Sequence, residues 1–400
     1  MSFEVFKVNN FRLFILGHFI SFFGSWVQNT AIHWLVYVYT GSTAKLGLFT
    51  LLTNMPVVLF TPLAGLIIDR QNRHKLFRLI LTLSIFPPLC MGIFFVFWRF
   101  NFYVLVLFSL LGQLLSAVDM PLRQVYISSI VPQRYLTQAL SFQALSFHTS
   151  RILGSALGGY LIVLFSPVVN FCLNALSYLP FLIFLKKISP GKTELPSSQK
   201  KSLKKDFVEL FTFLNRVKVA YFLILQVSLF SFLGVSYPIV LPKLAVEVYS
   251  GLATDYGFLS SVLGCGAMLG ALTLGISKTS EKDVCKRVWT TQILFSLALL
   301  LISLNQNKIF TSLAVFLMGF SFTNFFPLIN TSLQRLTPEA LRGRVMSLFT
   351  LAFIGTVPFG QFFVGFLVDV LGIKVLSFAL SLCIMITSSL FYFKTQNFND

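Results

Sequence analysis

Gly65-Leu66-Ile67-Ile68-Asp69-Arg70-Gln71-Asn72-Arg73-His74-Lys75 decides how this chain is read. An apolar run from Leu46 to Ile68 leads into it, and another from Leu76 to Trp98 leads out. Each run is long enough to cross a hydrocarbon layer of about 30 Å as a helix. Asp69, Arg70, Arg73, His74 and Lys75 between two such runs make a tight polar loop at one membrane face. Asn72 is expected at the turn, because asparagine tolerates the left-handed backbone that short turns often need. Two readings of the stretch stand at this point. It is a positively charged loop that fixes topology, or it is a signature motif with a mechanical role.

The rest of the chain repeats the pattern. Of 400 residues, 56% are hydrophobic and only 11% charged, against roughly 25% charged in an average soluble chain. That balance excludes a soluble globular protein and leaves a polytopic membrane protein. Twelve spans are expected, near 12–38, 46–68, 76–98, 102–127, 139–165, 169–186, 219–241, 256–277, 288–304, 309–331, 344–368 and 373–393. Without water to satisfy the backbone, spans of this length are helices. The first is expected to stay in the membrane, since Met1–Asn10 is too short to precede a cleavable signal. The long hydrophilic connection from Lys187 to Lys218 separates six spans from six. The expected fold is therefore all-α, with an N-terminal six-helix bundle at 1–186, a cytoplasmic linker at 187–218 and a C-terminal six-helix bundle at 219–400. An amphipathic helix is expected in the linker after Ser202. Gly191-Lys192-Thr193 there lacks the first glycine and the preceding strand of a phosphate-binding loop.

Charge gives the orientation. If the N-terminus is inside, 25 of the 31 Lys and Arg residues fall in inner segments. Only Lys45, Arg99, Lys243, Lys308 and Lys374 fall outside, and Arg151 lies within a span. Both termini are expected to be cytoplasmic. The net charge of +18 then reflects topology and attraction to anionic inner-leaflet lipid, not a nucleic-acid surface.

The two halves are related. At a shift of 206 residues Pro121 meets Pro327, Pro132 meets Pro338, Ser141 meets Ser347, Gly154 meets Gly360 and Gly159 meets Gly365. At a shift of 210 Gly47 meets Gly257 and Gly65 meets Gly275. Six spans per half make the repeats parallel, the architecture of a large transporter class with its substrate site near midplane between halves.

These residues resemble the major facilitator superfamily over essentially the whole chain. Gly65, Asp69, Arg70 and Arg73 match its Gly-x-x-x-Asp-Arg-x-Gly-Arg-Arg/Lys loop, with Asn72 in place of a glycine and His74 in a usually basic slot. The second-half loop after Gly275 has Thr279 in place of the Asp. Three further segments resemble the enterobactin exporter and macrolide efflux branch of bacterial exporters: Asp119–Gln124, Arg151–Gly159 and Leu341–Val345. The middle segment is also similar to the superfamily's span 5 antiporter motif, with Ser155 replacing its proline. The resemblance implies a conformational latch at the cytoplasmic face, formed by Gly65, Asp69, Arg70, Arg73, Arg123 and Arg344. It also implies a monomeric, inner-membrane secondary transporter.

Ionisable residues inside spans are costly and point to function. Asp119 is the leading proton-coupling candidate, being the one carboxylate well inside an expected span; it stands four residues from Arg123 and can pair with it. His148 and Arg151 share a helical face near midplane, and with Gln28, Asn29, Gln226, Asn324 and Gln361 they are candidates for a substrate cavity. For Arg151 a second reading stays open, a buried arginine satisfied by backbone carbonyls. Gly154, Gly158 and Gly159 suit close helix packing. The five scattered cysteines read as packing thiols. No cofactor, metal or enzymatic activity is expected. The expected function is export of a small amphipathic, siderophore- or drug-like molecule by proton-coupled alternating access. A facilitator or importer, or a lysolipid transporter of the same fold, is the alternative.

Overall fold

A computed structural model describes residues 4–98, 100–188, 203–276, 284–305 and 307–396. Fifteen α-helices carry these residues: α1 Asn9–Thr40, α2 Thr43–Arg70, α3 Arg73–Leu83, α4 Phe86–Phe97, α5 Phe102–Ile130, α6 Leu136–Leu164, α7 Pro167–Lys187, α8 Leu203–Arg216, α9 Lys218–Phe230, α10 Leu241–Val248, α11 Ala253–Ile276, α12 Val284–Leu304, α13 Lys308–Leu336, α14 Glu339–Ile354 and α15 Val357–Gln396. Among the described residues, nine helical stretches are long and apolar enough to cross a membrane. The last, Leu341–Thr395, has 55 residues, room for two crossings, and loses helical geometry at Gly372 (φ 77°, ψ 166°). α1 and α6 have crossing length, 32 and 29 residues, with polar side chains interspersed. With these included, the helical runs are consistent with twelve crossings.

Where hydropathy suggests unbroken spans, proline divides some of them. The expected span at 76–98 is two helices, because Pro87 and Pro88 open α4 immediately after a turn. Proline is suited to a first helical turn, where its missing N–H would have no partner anyway. The expected span at 219–241 passes through a π turn at Ser231–Val235 and a short 3-10 turn containing Pro238 before α10 begins. The amphipathic helix expected after Ser202 is α8. Residues 189–202 of the linker, including Gly191-Lys192-Thr193, lie outside the described residues.

The packing resolves two compact units. Unit 1 comprises Met1–Gly41, Phe49–Ser197 and Tyr249–Ser261. Its central helix is α1, which packs along α6 and α7. Phe14, Phe77, Tyr126 and Phe181 form a fully buried aromatic core, with the rings of Phe77 and Tyr126 5.1 Å apart and those of Phe14 and Phe181 5.6 Å apart. Unit 2 comprises Ser42–Leu48, Ser198–Val248 and Val262–Asp400. There α12 packs along α13 and α15, and Phe230 sits between Phe295, edge-to-face at 5.1 Å, and Phe325, tilted at 4.5 Å.

The sequence repeat reappears as a repeat of close approaches. In unit 1, a Cβ added at Gly159 would stand 2.5 Å from the Ala253 carbonyl oxygen, and one at Gly257 would stand 2.6 Å from that of Ser155. In unit 2, the counterparts Gly365 and Gly47 do the same: their added Cβ atoms would meet the Thr43 and Gln361 carbonyls at 2.5 and 2.7 Å. Each unit thus closes on the first turns of one helix from the other half, backbone against backbone. Lipid provides no hydrophobic drive between helices, so such van der Waals contact at small residues holds them together.

Candidate functional site

The signature loop is built locally. Asn72 is extended (φ −65°, ψ 110°), and its side chain accepts the backbone N–H groups of His74 and Lys75, so it caps α3. The expected left-handed turn is absent: among the described residues, positive φ occurs at glycines alone. An N-cap side chain satisfies donors the helix cannot, which accounts for asparagine here without any strain. His74 Nδ1 lies 2.8 Å from the Tyr126 hydroxyl, tying the loop to α5. Arg70 is exposed and Arg73 half-buried, with its Nε free of any hydrogen bond. Asp69 lies in the last turn of α2, but its side chain lies outside the described residues, as does Thr279. Gly65 faces open space: an added Cβ would meet nothing within 4 Å.

Two other residues grouped with that loop are engaged elsewhere. Arg344 pairs with Glu209 of α8. Arg123 donates from Nε to Asp119 Oδ2 at 2.7 Å and from its terminal nitrogen to Ser21 Oγ at 2.9 Å. Its guanidinium also lies 4.6 Å from the centre of the Phe22 ring and 5.1 Å from that of Phe181. The Arg123 side chain is 3% exposed and that of Asp119 13%. Such a pair must be compact and well bonded to offset the cost of removing both charges from water. Asp119 Oδ1, however, is buried without a hydrogen-bond partner.

A polar seam continues from this pair within unit 1. His18 Nδ1 is 3.2 Å from Ser146 Oγ. Asn174 donates to Gln28 Oε1 at 2.6 Å and accepts from Ser25 at 3.4 Å, beside the Tyr178 hydroxyl. Asn29 is exposed.

A second cluster forms where the first turn of α11 packs on α1 and α6. Tyr256 stacks on Trp34 with ring planes 14° apart, and its hydroxyl is 3.3 Å from His33 Nδ1. Arg151, midway along α6, lies 4.9 Å over the Trp26 ring. The nitrogens Arg151 Nε and His148 Nδ1 are buried without hydrogen-bond partners.

In unit 2 the expected polar residues do not form one cluster. Gln226 donates to Gln292 at 2.7 Å, Asn324 donates to the Phe320 carbonyl of its own helix, and Gln361 Oε1 is buried without a partner. Gly154 and Gly158 lie against the backbone of α1, and Gly159 against α11.

Sequence reasoning missed Ser21, Asn174 and Tyr178, which complete the seam, and Tyr256, which reaches His33 from 223 residues away. It also missed Asp369, which accepts from the Ser42 hydroxyl and the Ala44 amide and pairs with Lys243. Asp369 and Lys243 interrupt otherwise apolar sequence, which was the available signal.

With this architecture, comparison decides the family. The model of the transmembrane secretion effector family, a major facilitator group, matches residues 1–398. The chain belongs to this family. The protein is a membrane transporter of small molecules and not an enzyme, a multi-pass protein of the bacterial inner membrane. The transporter is similar to the Staphyloferrin A transporter of Staphylococcus aureus, 23% identical over 96% of this chain and 95% of the relative. It is also similar to the enterobactin exporter EntS of Escherichia coli, 25% identical over 85% of this chain and 80% of the relative. Among solved structures, the transporter's fold matches a bacterial homologue of the iron transporter ferroportin in an inward-facing state, at TM-score 0.75 and 17% identity, covering 98% of this chain and all of that one. A peptide transporter of the POT family matches at TM-score 0.79 and 10% identity, over 97% of this chain and 94% of that one.

Proposed function

We propose that this transporter exports a small amphipathic molecule, siderophore- or drug-like, by proton-coupled alternating access between bundles at 1–186 and 219–400. The observation that carries the reading is the Asp119–Arg123 pair. A buried carboxylate uses one oxygen on its arginine and keeps the other unbonded, so a proton has an open oxygen to occupy. Protonation removes the charge that holds Arg123, and the guanidinium must then seek new partners along the seam. Proton binding and side-chain rearrangement are thereby one event, which is what coupling requires. The named relatives, a siderophore transporter and a siderophore exporter, support the choice of cargo, and the exporter supports the direction.

The reading extends to parts that the pair does not touch. Gly65, Asp69, Arg70 and Arg73 act as a cytoplasmic latch, with Arg123 and Arg344 joining it in another state of the cycle. Both termini are cytoplasmic, the chain works as a monomer, and its basic inner face rests on anionic lipid.

The test is a pH gradient across proteoliposomes. Export predicts that an imposed gradient drives accumulation of a siderophore- or drug-like substrate, and that Asp119→Asn abolishes the drive while leaving downhill exchange. Gradient-independent flux in the wild type would favour a facilitator. Movement of a fluorescent lysolipid in preference to soluble compounds would favour the lipid-handling alternative.

A further inference from the structure

The Asp119–Arg123 seam accounts for one buried cation of unit 1. Arg151 is a second cation to account for, half-buried with its Nε fully buried. It sits midway along the 29-residue helix α6, at the depth where an unpaired charge is most costly. Yet no carboxylate among the described residues pairs with it, and its Nε is buried without any hydrogen-bond partner. A structural arginine at such a depth spends its five donors on carbonyls or carboxylates; this one leaves its Nε unspent. What surrounds it is aromatic and neutral. Trp26 lies 4.9 Å beneath the guanidinium, with Phe147 edge-on to Trp26 at 5.9 Å. The Tyr256 hydroxyl and His33 stand 3.3 Å apart beside the stacked Trp34 and Tyr256 rings. His148, one turn before Arg151 and on the same face, holds a second buried nitrogen without a partner.

We infer that Arg151, with Trp26, His148 and Tyr256, forms an anion subsite that takes the carboxylate of an aromatic organic acid. This deepens the cargo reading above and rests on it. The guanidinium fork matches the two oxygens of a carboxylate, giving two parallel charge-assisted bonds that a lysine cannot reproduce. One uncompensated positive charge suits a singly charged group. The flat rings of Trp26 and Phe147 suit an aromatic body next to that group, with the indole face also stabilising the cation. The phosphodiester of an anionic lipid shares the charge, so the experiment must separate it from a soluble acid.

The full-length protein is placed in nanodiscs of phosphatidylcholine and titrated calorimetrically with 2-naphthoate and with its uncharged amide, 2-naphthamide. Wild type binds naphthoate and discriminates against the amide by about tenfold or more, the scale of one charge-assisted contact. Arg151→Gln loses that discrimination, and Arg151→Lys retains only part of it. Size-exclusion profiles of both variants report folding, and the lysine variant keeps the test usable if the glutamine variant misfolds. Equal binding of acid and amide by wild type, or undiminished naphthoate binding by Arg151→Gln, overturns the subsite. So does loss of naphthoate binding when phosphatidylglycerol replaces part of the lipid, because the occupant is then lipid. The titration needs no gradient: naphthoate binding without gradient-driven flux would sink the export reading and leave the subsite standing. Gradient-driven flux that ignores Arg151→Gln would do the reverse.

Discussion

The Asp369 carboxylate accepts the backbone N–H of Ala44 at 2.8 Å, so an acid from α15 caps the first turn of α2. The same oxygen accepts the Ser42 hydroxyl at 2.7 Å, and the other faces Lys243 at 3.4 Å. Lys243 also donates to the Val368 carbonyl at 3.1 Å. Helix N-termini carry unpaired donors and partial positive charge, and a carboxylate answers both. The matching junction in unit 1 uses aromatic stacking of Tyr256 on Trp34 instead, and position 163, the counterpart of Asp369 at a shift of 206, is valine. The two halves share glycine contacts but differ in what fastens them.

Removing that cap is expected to destabilise unit 2. Asp369→Ala forfeits a helix cap worth about 1 kcal/mol and removes the carboxylate to which the Ser42 hydroxyl donates. Asp369→Asn keeps an accepting oxygen and loses only the charge pair with Lys243, which is partly exposed and contributes well under 1 kcal/mol by itself. Unfolding of the purified protein in nanodiscs should therefore rank wild type, Asp369→Asn and Asp369→Ala in falling stability. An alanine variant as stable as wild type would show that the cap contributes nothing.

The Asp119–Arg123 pair separates stability from coupling. Asp119→Ala leaves a guanidinium buried among Phe22 and Phe181 without its counter-charge, at a cost of about 3–5 kcal/mol. The double variant Asp119→Asn/Arg123→Gln removes both charges and retains the shapes, and should recover most of that loss. It should not recover proton-driven flux. Recovery of gradient-driven transport in the double variant would mean that protons couple elsewhere.

The order of the membrane runs was legible because hydropathy reports them directly, and the Asp119–Arg123 pair was legible because residues four apart on one helix share a face and can meet. The glycine repeat was legible for the same reason that it matters: only glycine fits where Gly159 faces Ala253 and Gly365 faces Thr43. What escaped is long-range pairing within an apolar background. Nothing near Tyr256 in sequence announces His33, and nothing near Asp369 announces Ala44. The break between α3 and α4 was missed because hydropathy averages over Pro87 and Pro88, although the prolines themselves marked it. Asn72 was expected to turn the chain by its own conformation and instead does so by capping.

The final prediction concerns the glycines, where identical residues should behave in opposite ways. Gly159→Ala drives a Cβ against a carbonyl that no side-chain movement can relieve. It should cost about 1–3 kcal/mol, as overpacking does, and loosen the first turn of α11 from α6. Gly365→Ala should behave alike against α2. Gly65→Ala meets nothing within 4 Å and replaces glycine by a better helix former inside α2, so stability should hold or rise slightly. If the latch reading is right, the same substitution still slows transport, because the bare backbone at Gly65 is needed in a state of the cycle other than the one described. Thermal unfolding and flux measured on the three variants side by side decide it. Gly65→Ala with full transport would reduce the signature loop to a topological signal, and Gly159→Ala with full stability would remove the packing argument for the repeat.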